Sequence, residues 1–318
     1  MKRRRTTVAL LVDRLMSEYA VMLRRSIERA ATRNDVSIVV AVGQSVRDKE
    51  PAAATQNQIY SLINQDSVDG VIIVSAILGH YCGIEGLVQM CRGYAPLPVC
   101  SLGVELPGVP SIIIENQGGT RLGVEHLIDV HGSRRIALIA GPETSVESDL
   151  RIEGYRAALE RRGLTVDESL IAHGTFTLPS GRDCMIELMQ RGVSFDAVVS
   201  ANDDMALGAM DVLRESNLRV PRDLLVLGFD DINSAHFARP PLSTLRQPIW
   251  WMGESAVDSI LRQLRGEAVP LVQAGAVELV RRESCGCGYR ATTIHQSKGS
   301  LRPSVHGIIQ ERRAEIAQ

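Results

Sequence analysis

Aromatic residues, long apolar runs and excess charge are all scarce in this chain of 318 residues. Phe, Trp and Tyr together make up 4% of the residues, so few rings are available to line a pocket. No stretch approaches the ~18 consecutive apolar residues that a membrane-spanning helix needs. The formal net charge of −2 gives no whole-chain case for binding nucleic acid or a membrane surface.

Several sequence motifs of enzymes are also missing. No Gly-x-Gly-x-x-Gly follows the first predicted strand, and the chain contains neither a Walker loop nor a Gly-x-Ser-x-Gly elbow. Glu115, His126 and His131 could act as acid and base, but nothing in their spacing singles them out. We therefore predict that the chain is not an enzyme.

A secretory leader is not expected either. The N-terminus is basic, but the apolar run at 8–12 stops at Asp13, and no small-residue cleavage site follows. We therefore expect a cytoplasmic protein that makes no contact with a membrane.

The six cysteines are scattered, and most have apolar neighbours. In a cytoplasmic protein this favours reduced, buried thiols. Cys285 and Cys287 are the one close pair, but a metal site needs about four ligands. Since no second pair or spaced histidines accompany them in the sequence, we predict no metal site and no cofactor.

What the sequence does contain is a regular alternation of short apolar runs and amphipathic windows. That pattern predicts parallel sheets with helices on both faces. A helix capped by Ser17 follows the first strand, and a long helix is expected at 249–264. The predicted strands are 7–12, 36–42, 71–74, 98–102, 111–114, 136–140, 170–173, 197–200 and 224–228.

The repetition of this pattern predicts an α/β fold of two doubly wound parallel-sheet lobes joined by a multi-strand hinge. We expect an N-terminal lobe at 6–114 plus 246–268 and a C-terminal lobe at 115–245 plus 269–284. Residues 285–318 are polar and lack periodicity, so they are expected to form a linker that could begin a signalling helix.

Small polar residues follow several predicted strands directly. Asp13 follows the first strand, Ser75 the third, Asn202 and Asp203 the strand 197–200, and Asp230 the last strand of the second lobe. Ligands of open α/β sheets bind beyond the carboxyl ends of the strands. These side chains are therefore predicted to face an inter-lobe cleft that holds a small polar molecule.

Other roles for the same residues stay open at this point. Asp203 or Asp204 could simply cap a helix, and Asp230 could be a turn residue. Arg151, near the head of a helix, could grip a ligand through its planar guanidinium. It could equally be a surface arginine that pairs with Glu147 or Asp149.

Motifs in order along the chain resemble the effector domain of the LacI/GalR family, within the type I periplasmic-binding-protein superfamily. They cover most of the chain, from about Thr6 to Cys285. The matching segments are GGTRLGVEHLI, RRIALIAGP, RIEGYRAAL, GTFTLPSG, SANDDMALGAM, VLGFDDI, PPLSTLRQP and MGESAV.

The resemblance implies which residues contact the effector. The family's arginine falls on Arg151, its polar residue on Asn202 or Asp203, and its aspartate on Asp230. The aromatic that packs against the ligand falls on Phe176, which could also be a core residue. Further candidates are Tyr19, where the family has an aromatic in its first loop, and Gln247, in the segment that turns back toward the first lobe.

The resemblance also implies a function. The chain would be the ligand-sensing domain of a LacI-type transcriptional regulator or a related fused signalling protein. It would bind a sugar-like or nucleoside/purine-like metabolite, form a homodimer, and touch DNA only through a domain not present in this chain. The alternatives are a periplasmic-type solute-binding receptor and a degenerate dimerisation scaffold.

Overall fold

A computed structural model describes residues 5–13, 15–48 and 50–288. They form two compact units, each with its own six-stranded sheet. The first unit contains the described residues up to 115 together with 144–147 and 248–276, and the second contains 116–143, 148–247 and 277–288. Within the described part of the chain, no helix is long and apolar enough to cross a membrane.

The first unit is an all-parallel sheet with helices. Its strands are β1 (Thr7–Val12), β2 (Ser37–Val42), β3 (Gly70–Ile73), β4 (Val99–Leu102), β5 (Ser111–Ile114) and β11 (Val272–Gly275). They lie in the order β11-β5-β4-β3-β1-β2. Its helices are α1 (Glu18–Arg33), α2 (Ala53–Gln56), α3 (Gln58–Ser61), α4 (Ser75–Leu78), α5 (Gly83–Arg92) and α11 (Ile249–Leu264).

Local sequence explains the first strand and helix of this unit. β1 is buried along almost its whole length because it lies inside the sheet, between β2 and β3. The Ser17 side chain accepts a hydrogen bond from the Ala20 backbone N–H and so caps α1, as predicted. The apolar positions of α1 at three- and four-residue spacing, including Leu23 and Ile27, are buried.

The second unit repeats the plan with one antiparallel strand at its edge. Its strands are β6 (Ile136–Ala140), β7 (Ile171–His173), β8 (Ala197–Ser200), β9 (Leu225–Asp230), β10 (Ser243–Arg246) and β12 (Glu278–Val280). Their order is β12-β10-β9-β8-β6-β7, and among them only β12 runs antiparallel to its neighbour. Its helices are α6 (Asn116–His131), α7 (Val146–Arg161), α8 (Leu178–Gln190), α9 (Asp203–Glu215) and α10 (Asn233–Phe237), with a 3-10 turn at Glu168–Leu170.

The predicted α/β class with two parallel-sheet lobes is confirmed, and the differences concern the later part of the chain. Residues 269–284 were expected in the C-terminal lobe, but β11 pairs with β5 in the first sheet. Periodicity could not reveal this strand because its side chains are largely exposed.

The start of the expected linker packs into the second unit. Cys285 is fully buried in the core that also contains Leu127, Leu138 and Leu225, and Cys287 packs against that core. The expectation that 285–288 belong to a linker is therefore wrong. It arose because the residues that follow are polar, so nothing in the sequence indicated that Cys285 is buried. The signalling helix expected beyond them lies outside the described residues.

Candidate functional site

The carboxyl ends of β8 and β9 carry the polar residues that the sequence singled out in the second unit. Asn202 follows β8 and caps α9, since its Oδ1 accepts a hydrogen bond from the Met205 N–H at 3.0 Å. Its Nδ2 donates to the Phe176 carbonyl at 3.1 Å. Helix capping, which we had considered for Asp203 or Asp204, therefore belongs to Asn202.

Asp203 lies in the first turn of α9 and is fully buried. Its two carboxylate oxygens accept hydrogen bonds from the Ile232 N–H at 3.0 Å and from the Thr244 hydroxyl at 2.6 Å. A Cβ on Gly228 would lie 2.1 Å from Oδ1, so only glycine leaves room for this carboxylate. Asp203 therefore ties α9 to β9 and β10, and this burial argues against direct ligand contact.

Burial also governs the charge of this carboxylate. Loss of water contact, and after it the negative charge of Asp230, raises the pKa of Asp203 well above its usual range. The ionised form of Asp203 is therefore disfavoured in the folded unit relative to an exposed aspartate.

Asp230 ends β9 in an unusual backbone conformation. Its φ is 118°, and Asp231 next to it has a φ of 63°, both in the region that side chains with a Cβ rarely adopt. The Gln247 Nε2 donates a hydrogen bond to Asp230 Oδ1 at 2.6 Å, so these two predicted site residues lie together. Residues in such strained conformations cluster at binding and catalytic sites, and they persist only where the surrounding structure holds them in place.

Arg151 is the most heavily anchored candidate. It lies in α7 and is buried, and its Nε donates to Asn116 Oδ1 at 2.9 Å. One terminal nitrogen donates to the Ala201 carbonyl at 2.5 Å. The guanidinium carbon lies 3.9 Å from the Phe229 ring centroid, so the charged plane is held over an aromatic face. The alternative of a surface arginine is excluded by this burial.

Phe176 lies close to the same guanidinium, with its ring centroid 5.9 Å from the Arg151 carbon. Its φ of 59° is again positive, and the ring covers Gly141, where an added Cβ would lie 2.2 Å from a ring atom. The side chain is only partly buried. The ring can therefore present an accessible apolar face next to the buried Arg151.

The structure thus groups several residues of the second unit at the ends of its strands. We name as the strand-end cluster the residues linked by these contacts and by sequence adjacency. They are Asn116, Arg151, Phe176, Asn202 and Asp230.

Sequence analysis missed Asn116, although it holds Arg151. It is the first residue of α6 and is nearly fully buried. Its Nδ2 has no hydrogen-bond partner among the described residues. A lone asparagine at the start of a helix looks like an ordinary cap, so nothing in the sequence pointed to this role.

Three predicted site residues lie in the first unit. Asp13 follows β1 and is buried, whereas Tyr19 lies in the first turn of α1 and is partly exposed. Ser75 begins α4 and is fully buried, with its hydroxyl 2.7 Å from Ser101 Oγ and accepting from the Val104 N–H at 3.0 Å. These bonds make Ser75 a support for the turn after β4 and argue against ligand contact.

The sequence expectation of no histidine partners for the cysteine pair is wrong. His126 and His131 of α6 lie beside Cys285 and Cys287, and one potential ligand atom from each lies within 4.8 Å of the others. We name these four residues the His–Cys cluster. The sequence did not reveal it because the histidines precede the cysteines by more than 150 residues.

Comparison with known proteins gives consistent matches. The family model "Periplasmic binding protein-like domain" matches residues 124–285. The HTH-type transcriptional regulator CelR of Thermobifida fusca is 41% identical over 172 residues, which cover 54% of this chain and 50% of CelR. The chain thus matches about half the length of this relative.

A second relative is matched over more of its length. The ribose operon repressor of Escherichia coli (strain K12) is 31% identical over 261 residues, which cover 81% of this chain and 75% of the repressor. Among solved structures, the CelR–cellobiose complex superposes with a TM-score of 0.77 at 32% identity, covering 89% of this chain and 86% of that one.

Proposed function

The chain belongs to the periplasmic-binding-protein-like family of LacI-type regulators, and from this premise we propose that it is a ligand-sensing domain. It would serve a LacI-type transcriptional regulator or a related fused signalling protein. We assign the sensing step to this chain, and we do not assign contact with DNA to it. The proposal includes the absence of an enzymatic activity, a cytoplasmic location and a homodimer.

The observation that carries the proposal is the strand-end cluster. It combines a buried guanidinium (Arg151), a strained carboxylate (Asp230), an amide (Asn202) and a partly exposed ring (Phe176) at the strand ends of one sheet. Binding sites for small molecules combine apolar walls with a few well-placed polar groups in this way. Asp203 and Gln247 support the proposal as residues that hold the cluster in place.

We propose a sugar as the ligand class. Sugar hydroxyls both donate and accept hydrogen bonds, so they suit a carboxylate acceptor beside guanidinium and amide donors. The C–H face of a sugar ring packs well against an aromatic face such as that of Phe176. The similarity to a CelR–cellobiose complex makes cellobiose the first probe. Asp13 and Tyr19 remain proposed contributors from the first unit.

The test is calorimetric titration of the chain with cellobiose, ribose and a nucleoside. We expect one of the sugars to bind, and Asp230→Asn to weaken that binding. Losing one hydrogen bond to a charged group costs about 1.5–3 kcal/mol, or roughly a 10- to 150-fold loss of affinity. Asparagine tolerates a positive φ, so the backbone at this position is preserved.

Asp183→Asn is the matched control because Asp183 is an exposed aspartate of α8 in the same unit. The sugar affinity of the Asp183→Asn variant should equal that of the wild type. A sugar that binds Asp230→Asn as tightly as the wild type would move the site away from the strand-end cluster. If no probe binds, the dimerisation scaffold becomes the better explanation, and if only the nucleoside binds, the ligand class changes.

A further inference from the structure

The His–Cys cluster has the composition of a metal site. His126 and His131 lie near the carboxyl end of α6, and Cys285 and Cys287 lie in the segment after β12. Two imidazoles and two thiols are a ligand set that favours tetrahedral zinc over the hard cations calcium and magnesium.

Four of the six distances between the potential ligand atoms are close to the edges of a zinc tetrahedron, and all six are within 4.8 Å. The two histidine Nε2 atoms are 3.3 Å apart, and Cys287 Sγ lies 3.4 Å from each of them. Cys285 Sγ lies 3.6 Å from His126 Nε2. Zinc bonds of about 2.3 Å to sulfur and 2.0–2.1 Å to nitrogen imply N···N edges of about 3.3–3.4 Å and N···S edges of about 3.5–3.6 Å.

We propose that His126, His131, Cys285 and Cys287 bind one structural zinc ion. Binding exchanges Zn²⁺ for the two thiol protons, which pass to solvent, and the resulting Zn²⁺ with two thiolates and two neutral imidazoles has no net charge. Such a neutral complex suits a place where Cys285 is fully buried and His126 nearly so. Four protein ligands close the coordination sphere, so the ion would have a structural and not a catalytic role.

The backbone around the cysteines is built to present both sulfurs to the histidines. Gly286 between them has a φ of 97°, and a Cβ there would lie 3.1 Å from His131 Nδ1. Glycine is therefore required at this turn for two reasons, the backbone conformation and the space beside the imidazole.

The segment before the cysteines is anchored on the sheet. The Ser284 hydroxyl accepts from the Ser243 N–H at 2.7 Å and donates to the Val226 carbonyl at 2.6 Å. Arg282 pairs with Asp231 at 2.6 Å. The segment 282–287 therefore runs from the residue beside Asp230 to the His–Cys cluster.

Zinc would close this segment onto α6 and so fix its position. The first residue of the same helix, Asn116, holds Arg151 of the strand-end cluster. One ion would thus join a helix whose first residue contacts Arg151 to a segment that contacts Asp231, the neighbour of Asp230. The inference does not depend on the identity of the ligand.

The first test is the metal content of the whole chain, purified under reducing conditions. We expect about one zinc per chain by mass spectrometry of the metal. Titration of the metal-free chain with Co²⁺ should give the visible absorption of a tetrahedral site together with thiolate charge transfer. A chain that takes up neither Zn²⁺ nor Co²⁺ after reduction overturns the proposal, as does octahedral Co²⁺ absorption.

Variants then assign the ligands. Cys287→Ser and His131→Gln should lose zinc, whereas His131→Cys, which keeps a soft ligand, should retain it. The matched controls in the same unit are Cys184→Ser and His236→Gln, which should each keep one zinc. Equal zinc content in Cys287→Ser and the wild type would place the metal elsewhere. Since the Co²⁺ titration uses the wild type, misfolding of a variant does not decide the outcome.

Discussion

The two ends of helix α6 contact two different kinds of site in the second unit. At its start, Asn116 holds the guanidinium of Arg151, which also bonds to a backbone carbonyl and lies over an aromatic ring. At its other end, His126 and His131 meet two cysteines. The strand-end cluster is held by hydrogen bonds between protein groups, whereas the soft donors of the His–Cys cluster are the ligands of the proposed zinc ion.

The two clusters represent two ways to hold the elements of a binding domain in place, direct hydrogen bonds and a shared metal ion. Around the strand-end cluster, direct hydrogen bonds such as those of Asp203 join the neighbouring elements. At the end of the described chain, a metal bound by the His–Cys cluster would join the segment 282–287 to α6, and its binding free energy would add to the stability of the fold. Removing the metal should therefore affect one cluster, and removing hydrogen bonds the other.

Zinc removal has the largest expected effect. At free zinc about 1,000 times the dissociation constant, binding stabilises the fold by about 4.1 kcal/mol. At roughly 2–4 °C per kcal/mol for a domain of this size, chelation should lower the Tm of the second unit by about 8–16 °C. Scanning calorimetry with and without chelator measures this shift, and Cys287→Ser should be insensitive to chelator. A wild-type Tm that is unchanged by chelator would contradict the proposed stabilisation by zinc.

Asp203→Ala should have the next largest effect. The change leaves the Ile232 N–H and the Thr244 hydroxyl buried without their acceptor, and each such group costs about 1–3 kcal/mol. For two such groups we expect the free energy of unfolding to fall by at least about 2 kcal/mol in urea titrations. Asp204→Ala, one residue along the same helix turn, is the control, and an equal loss there would remove the special role of Asp203.

The same position has a pH dependence whose sign follows from its pKa. Because the pKa of Asp203 is raised in the folded state, its contribution to stability is present at pH values below the unfolded pKa and is lost as pH rises through the folded one. Asp203→Asn cannot ionise. The free energy of unfolding of this variant relative to the wild type should therefore increase from acidic to neutral pH. A difference that stays constant with pH would show that Asp203 does not titrate in this range.

Arg151→Lys should destabilise less and still damage ligand binding. Lysine keeps the charge but cannot bond Asn116 and the Ala201 carbonyl with a planar fork, so about 1–3 kcal/mol of stability should be lost. Arg156→Lys, in the same helix but in an exposed ion pair with Glu168, should change stability by less than about 1 kcal/mol. Urea titration measures the stability of both variants, and calorimetry measures their sugar binding. Equal losses in Arg151→Lys and Arg156→Lys would contradict the prediction.

Sequence reasoning predicted the parts of the molecule that depend on local pattern. Buried parallel strands such as Thr7–Val12 are apolar on both faces, and Asp230 lies at the carboxyl end of such a strand, so both could be placed from the sequence. The role of Asn116 and the partners of Cys285 depend on contacts between distant segments, which no spacing rule contains. The exposed strand β11 gave no alternation, because neither face of it is well buried.

The smallest effect is expected for zinc affinity in Gly286→Ala, with Gly288→Ala as its control. Both glycines have positive φ values, 97° and 71°, so alanine should cost each about 1 kcal/mol of backbone strain. Only at Gly286 does the new Cβ approach His131 Nδ1, at 3.1 Å, whereas at Gly288 it meets nothing within 4 Å. Competition for zinc with a chelating dye should show weaker binding in Gly286→Ala and unchanged binding in Gly288→Ala. Equal affinities would mean that the turn matters for the backbone alone and does not set the position of the imidazole.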